Sequence, residues 1–251
     1  MLQPQTLLRQ LVHSKYVDLF GALLILGVCL SRSFHETYFF NGEIQFGIPI
    51  SDLPSFVKQG AFPLGILSTI GAVFSMLATR LTGKQNNWGN IIGLITTVNS
   101  GVLDYLFGNG SAVITYPLTF LIFTVAVKNW ADGEKIREID LRYYLIMFAG
   151  LVIGFALVHL GAHWFGGKTD TAFLTVVSVT FGISLGANTC NALKYKETWL
   201  GWMIYNIVQL IKNTMQMNLA NVVKYAFYMG NALVTWLDWR WNGDVVTGKD
   251  S

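Results

Sequence analysis

The feature that most constrains this chain is a succession of apolar stretches, each close to the length that crosses a bilayer as a helix. A hydrocarbon core about 30 Å thick needs roughly 20 apolar residues at a rise of about 1.5 Å per residue. Eight stretches meet or approach this length: 16–31, 61–79, 87–107, 111–128, 143–165, 170–193, 197–213 and 219–238. The sequence therefore predicts an all-α integral membrane protein with eight transmembrane helices.

The composition agrees with this prediction and excludes several other classes of protein. Of the 251 residues, 53% are hydrophobic and 12% are charged, whereas soluble domains carry about 25% charged residues. With 2 Cys and 5 Pro, the chain is neither disulfide-stapled nor collagen-like. A net charge of +3 is too small for a nucleic-acid-binding protein. No small-residue cleavage site follows the first stretch, so we expect it to be retained rather than removed as a signal peptide.

The Lys and Arg residues between the stretches predict the orientation, because short basic loops stay in the cytoplasm. With a cytoplasmic N-terminus, 12 of the 17 basic residues fall on the cytoplasmic side: Arg9, Lys15, Arg80, Lys84, Lys128, Lys135, Arg137, Arg142, Lys194, Lys196, Arg240 and Lys249. Both termini are then expected in the cytoplasm. Lys212 and Lys224 are expected near the outer surface.

The spacing of the stretches predicts an internal repeat. After the first stretch, three stretches, one single stretch and three more follow each other, and each triplet has a short basic turn before a Trp (RLTGK before Trp88, KYKE before Trp199). A single intervening span gives both triplets the same orientation, which is a parallel repeat. The predicted divisions are an N-terminal helix with an outer interfacial loop, a first three-helix bundle, a cytoplasmic loop with a linking helix, a second bundle and a cytoplasmic tail: 1–60, 61–128, 129–169, 170–241 and 242–251.

A polar stripe in the seventh stretch predicts a binding face. Trp199, Trp202, Asn206, Gln209 and Asn213 are spaced by 3 or 4 residues and therefore lie on one side of a helix. Such amides can instead serve only to pack helices, at about 0.6 kcal/mol for each interhelical hydrogen bond. Three amides and two indoles on one face favour a binding site for a polar, aromatic solute.

Neighbouring stretches contribute further candidates for the same cavity, namely Asn188, Asn191, Tyr228, Asn231, Asn90 and Thr97. These side chains offer amides, hydroxyls and aromatic rings to a ligand that hydrogen-bonds and stacks. Since no Lys or Arg is expected deep in the spans, a phosphate would find few donors there. An uncharged, amide-lined cavity predicts an unphosphorylated, nucleoside-like ligand.

The run WLGWMIYN at 199–206, the run YMGNALVTWLDWRW at 228–241 and the three-one-three order of spans resemble the PnuC family of bacterial nicotinamide riboside transporters. The resemblance covers roughly residues 60–241. It implies a SWEET-like fold of two parallel three-helix bundles joined by a linking helix, preceded here by an extra helix. It also implies alternating access, facilitated diffusion of nicotinamide riboside across the inner membrane, and trapping of the riboside by a cytoplasmic kinase. Trp199, Trp202 and Asn206 match substrate-site positions of that family.

The sequence also allows other substrates and functions. A related nucleoside or a sugar is the alternative substrate. Asp104, placed well inside the third stretch unless that span ends near Leu103, is a candidate for proton coupling. The segment GISLG at 182–186 fits the GxSxG pattern of Ser hydrolases but lies within a helical stretch, where the nucleophile would not be exposed. His159 and His163 have no third ligand nearby, so no metal or other cofactor is expected. Expected partners are the riboside, membrane lipid and a second copy of the chain, but no nucleic acid.

Overall fold

The computed structural model describes residues 4–132 and 136–242, and within those residues the chain is almost entirely helical. The first part contains α1 (Pro4–His13), α2 (Lys15–Ser31), a hairpin of β1 (Tyr38–Phe40) and β2 (Glu43–Gln45), and the short α3 (Leu53–Lys58). The remaining helices are α4 (Leu64–Gly83), α5 (Trp88–Leu106), α6 (Ala112–Ala131), α7 (Leu141–Phe165), α8 (Thr171–Ala192), α9 (Thr198–Met215) and α10 (Leu219–Asn242).

The predicted all-α membrane fold is confirmed, with each predicted stretch represented by α2 or by one of the helices α4 to α10. Among the described residues, α4, α6, α7 and α8 are long and apolar enough to cross a membrane, and α1 with α2, bent by 55°, forms a fifth candidate. Helices α5, α9 and α10 are more polar because they carry many of the amides. The number of eight spans stays a prediction, and residues 243–251 of the predicted tail lie outside the described residues.

Several helices begin at residues that cap their free N–H groups. Ser14 accepts hydrogen bonds from the backbone of α2, and Asp140 accepts one from Tyr143 at the start of α7 (2.9 Å). Asp170 accepts one from Phe173 at the start of α8 (2.8 Å). These caps satisfy donors that would otherwise lack partners at the first turn. The starts of these three helices therefore have a local cause in the sequence.

Six helices form a closed ring. Helix α4 packs on α5, α5 on α6, α6 on α8, α8 on α9, α9 on α10, and α10 returns to α4. Helix α7 lies outside the ring against α8 and α6, and α1 and α2 lie outside it against α10 and α4. The ring therefore surrounds a central space that every one of its helices can line.

Glycines allow α7 and α8 to approach closely. A Cβ atom added to Gly154 would lie 2.4 Å from the Cα of Gly182, and one added to Gly150 would lie 2.7 Å from the backbone N of Gly186. The GISLG segment is thus a helix-packing surface inside α8, with its two glycines facing α7. Small residues at such contacts provide the van der Waals packing that associates helices in a membrane.

We expect Gly154→Ala to lower the stability of the protein by about 1–3 kcal/mol, because the added methyl group forces two backbones apart. Thermal unfolding of the purified protein in detergent measures this. Gly230→Ala is the matched control, since no atom lies within 4 Å of a Cβ at that position. The control should be neutral or gain about 0.5–1 kcal/mol from better helix propensity. Equal melting temperatures for the two variants would contradict the proposed contact.

The N-terminal helices are joined to the ring by Arg80, a residue that the sequence suggested would lie in a basic turn. Helix α4 continues to Gly83, and the Arg80 side chain is only 3% exposed. Its guanidinium donates to Asp18 Oδ1 (2.6 Å), Asn231 Oδ1 (2.7 Å) and the carbonyl oxygens of Leu11 (2.8 Å) and Val12 (2.6 Å). Asp18 also pairs with Lys84. One cation therefore fastens α1, α2 and α10 to α4.

The loop before α7 is held against the loop between α8 and α9. The backbone N–H of Arg137 donates to the carbonyl of Lys194 (2.8 Å), and the hydroxyl of Tyr195 donates to the carboxylate of Asp140 (2.9 and 3.0 Å). The N–H of Tyr143, with help from the Tyr195 hydroxyl, lowers the pKa of Asp140 below its ordinary value. Asp140 therefore stays ionised, and the loop before α7 is tied to the loop between α8 and α9.

Candidate substrate-binding cavity

A cavity of about 150 Å³ lies inside the ring, and α4, α5, α6, α8, α9 and α10 all contribute to its wall. Since one water needs about 10–15 Å³ of such space, the cavity can hold a small organic solute. It is lined by seven of the residues predicted from the sequence: Trp199, Trp202, Asn206, Gln209, Asn188, Tyr228 and Thr97. The predicted face of α9 therefore does point into a cavity.

Indole rings form one part of the wall. Trp199 is fully buried and meets Trp202 edge to face, with ring centroids 4.7 Å apart, and meets Trp239 in the same way at 5.5 Å. The Trp202 N–H donates to Asn188 Oδ1 (3.3 Å), and the Asn188 amide donates to Ser184 Oγ (3.0 Å). These contacts fix the rings in place, so the cavity offers a rigid aromatic surface.

Asn206 is the polar residue of this wall that is most available to a ligand. Its side chain is 3% exposed and lines the cavity, and its amide makes no hydrogen bond with any residue in the described part of the chain. The indole N–H of Trp199 and the hydroxyl of Thr180, two other lining residues, are buried and also lack a partner there. Buried polar groups normally have partners, so three unsatisfied groups around one cavity point to a ligand that supplies them.

Farther along α9, a network of amide and phenol groups continues the wall. Gln209 Nε2 donates to the Tyr205 hydroxyl (2.6 Å), which lies 3.4 Å from the Tyr225 hydroxyl. The Tyr228 hydroxyl lies 3.1 Å from Ser75 Oγ on α4. A phenol hydroxyl can both donate and accept, and an amide carries a donor and an acceptor side by side. This part of the cavity therefore suits a ligand that carries hydroxyl groups.

Four of the predicted residues do not line the cavity. Asn213 donates to the backbone and side-chain oxygens of Gln209 (both 2.8 Å), Asn191 donates to Asn90 Oδ1 (3.0 Å), and Asn231 accepts from Arg80. Asn90 in turn donates to Asn87 Oδ1 (3.1 Å). The structure uses these amides to join helices to each other and to orient Gln209. Helical periodicity gives the side of a helix but not what that side contacts.

The opposite end of the cavity is charged, whereas the sequence predicts an uncharged cavity. Asp104, Lys212 and Lys224 are 6%, 4% and 3% exposed, and all three line the cavity. Lys212 Nζ donates to both carboxylate oxygens of Asp104 (3.0 and 2.9 Å). Helical spacing could have predicted that both lysines face the cavity, because Lys212 lies three residues after Gln209 and Lys224 lies four before Tyr228. The two helical faces each continue into a basic residue.

A ring of membrane helices around a polar cavity, with an aromatic wall and an unpartnered amide, is the kind of site that binds a small organic solute within a membrane. Residues 65–241 match the family described as nicotinamide mononucleotide transporter, and the chain belongs to this family. The predicted family and the predicted transporter class, as opposed to an enzyme, are confirmed.

The chain is also similar to a curated protein and to a solved structure. The nicotinamide riboside transporter PnuC of Neisseria mucosa is 24% identical over 192 residues, which cover 69% of this chain and 71% of the relative. The crystal structure of the vitamin B3 transporter PnuC superposes with a TM-score of 0.63 at 18% identity, over 91% of this chain and 92% of that chain. The structural similarity establishes that the fold is shared.

Proposed function

We propose that this protein carries nicotinamide riboside across the bacterial inner membrane by facilitated diffusion with alternating access. The observation that carries the proposal is the cavity wall formed by Trp199, Trp202 and Asn206, in which the Asn206 amide has no partner among the described residues. The relative from Neisseria mucosa bears the name of a transporter of this riboside. The proposed function thus joins a family relationship to a site of matching chemistry.

Each part of the riboside has a suitable counterpart in the cavity. The nicotinamide ring is flat and positively charged, and an indole attracts such a ring through both stacking and cation–π interaction. The carboxamide of the ligand can pair with the Asn206 amide, which is both donor and acceptor. The ribose hydroxyls suit the network around Gln209 and Tyr205. All these groups lie on the wall of one cavity.

The predicted divisions give a mechanism for the movement. We propose that α4, α5 and α6 move as one group, that α8, α9 and α10 move as another, and that α7 links them. The contacts support this division, because within each group consecutive helices pack on each other, while α6 with α8 and α10 with α4 close the ring. Separating the two groups at one end of the ring exposes the cavity to that side of the membrane. In the proposed orientation, which follows from the distribution of Lys and Arg between the spans, both termini lie in the cytoplasm.

The expected partners belong to the same proposal. A uniporter sustains uptake only if the transported solute is converted inside the cell. A cytoplasmic kinase that phosphorylates the riboside is therefore the expected functional partner. Membrane lipid surrounds the ring and α7, whose surface carries exposed apolar side chains such as Tyr144, Leu145 and Phe148. Association of two copies through such surfaces is a further expectation.

Calorimetric titration of the purified protein with nicotinamide riboside tests the function. We expect binding, with glucose giving no heat, and we expect Trp202→Ala to weaken the affinity by about 1–2 kcal/mol, or roughly 5- to 30-fold, through loss of ring contact and cation–π attraction. Trp202→Phe should lose less, since it keeps an aromatic face.

Trp164→Ala is the matched control, because Trp164 is 62% exposed at the end of α7, away from the cavity. It should bind like the parent protein. Absence of riboside binding to a folded parent protein would overturn the proposed substrate. Equal losses for the Ala and Phe variants at position 202 would overturn the stacking role while leaving the substrate in place.

A further inference from the structure

Lys224 is a cation inside the ring that has no counter-ion of its own. Its side chain is 3% exposed and lines the cavity, and no described residue makes a hydrogen bond with its ammonium group. Its contacts are instead with aromatic faces, at 4.4 Å from the centroid of the Tyr225 ring and 5.8 Å from that of Tyr228. Ring faces attract a cation but do not replace hydrogen bonds or a compensating charge.

The nearby carboxylate is already fully engaged. Asp104 and Lys212 are the charged groups that interact electrostatically with Lys224. Asp104 accepts two bonds from Lys212, one from Gln216 (2.7 Å) and one from Asn109 (2.7 Å). Asp104 and Lys212 thus form a pair with each other, and Lys224 is left without a counter-ion among the described residues.

Arg80 and Lys212 show how this protein treats other buried cations: each has a carboxylate within 3 Å. An uncompensated ionised group in a membrane interior is costly, and ionisable side chains there usually pair with each other or mark the path of a ligand. Lys224 has the cavity in front of it rather than a carboxylate. The missing partner of Lys224 is thus expected to come from solution.

We propose that Lys224 forms an anion site at the charged end of the cavity, suited to a phosphate or another small oxyanion. The anion is either a free ion or the phosphate group of a phosphorylated solute, and the two sources share the same chemistry: oxygen atoms that accept from an ammonium group. This inference rests on the proposed function, because it assigns a second subsite in the same cavity. Asn206 and Lys212 are six residues apart on α9, or about 9 Å along the helix axis, so one solute can contact both ends.

The test is binding of inorganic phosphate, nicotinamide mononucleotide and nicotinamide riboside to the full-length purified protein, measured separately by calorimetry. In the parent protein we expect the mononucleotide to bind. Lys224→Met and Lys224→Gln should each weaken its binding at least tenfold, and by at least tenfold more than they weaken riboside binding. Lys224→Arg, which keeps the charge, should stay within about threefold. Lys58→Met, at an exposed lysine of α3, is the control and should change nothing.

The outcomes distinguish the two sources of the anion. Binding of inorganic phosphate that competes with the mononucleotide supports a site for free oxyanions, and mononucleotide binding without phosphate binding supports recognition of a phosphorylated solute. Failure of both anions to bind the folded parent protein overturns the proposal. Equal anion affinity in the parent protein and in the Met and Gln variants also overturns it. Riboside binding is scored independently, so failure of the proposed function is seen separately.

Discussion

Replacement of Arg80 by methionine is expected to lower the stability of the protein by about 3–5 kcal/mol, the usual cost of removing one member of a buried ion pair. The side chain loses its bonds to Asp18, to Asn231 and to two backbone carbonyls at the end of α1. The carbonyl of Val12, a fully buried residue, would be left without this donor. In detergent, we expect the apparent melting temperature to fall by about 6–20 °C.

Two further variants serve as controls for the Arg80→Met result. Arg80→Lys keeps the charge, but a single ammonium group cannot donate to all the acceptors that the planar guanidinium reaches. We therefore expect an intermediate loss of stability. Arg32→Met removes an exposed arginine at the end of α2 and should change the stability by less than about 0.5 kcal/mol. If Arg80→Met melted with the parent protein, α1 and α2 would not depend on this contact for their attachment to the ring.

Asp104→Asn is expected to have an effect of similar size, because it leaves Lys212 without its counter-ion in a cavity that already holds Lys224. Asparagine keeps the shape of the carboxylate but replaces one of its two acceptor oxygens by a donor, so the loss reports both the charge and a lost acceptor. We expect a destabilisation of about 3–5 kcal/mol, measured as a lower apparent melting temperature in detergent. Lys212→Met should be destabilising too, since it leaves the carboxylate with only Gln216 and Asn109.

The double variant Asp104→Asn with Lys212→Met tests whether the two side chains stabilise each other or contribute independently to stability. Because it removes both charges, it should be markedly less destabilised than the sum of the single variants, with a coupling of about 0.5–3 kcal/mol. Strict additivity would show that the two side chains do not stabilise each other.

Polar residues on a predicted helix face divided into two groups in the structure. Asn206 and Asn213 lie on the same face of α9, seven residues apart, yet Asn206 lines the cavity while Asn213 bonds to Gln209. Likewise Tyr228 lines the cavity, whereas Asn231, one turn later, accepts from Arg80. A spacing of three or four residues defines a face, but the neighbour that meets each position on that face comes from a distant part of the chain.

The sequence by itself determined the helices, their approximate ends and the faces that carry polar groups, because hydropathy, caps and helical periodicity act over a few residues. It also contained enough of the family pattern, around Trp199, Trp202 and Asn206, to indicate the class of transporter. The tertiary structure alone decided the environment of the charged residues. Asp104 and Lys212 are 108 residues apart in the chain, and Arg80 and Asp18 are 62 apart. From the sequence alone, a charged residue next to an apolar stretch is expected at the surface, because burial of an unpaired charge is costly. Only the packing of the helices brings a distant partner close enough to compensate a buried charge.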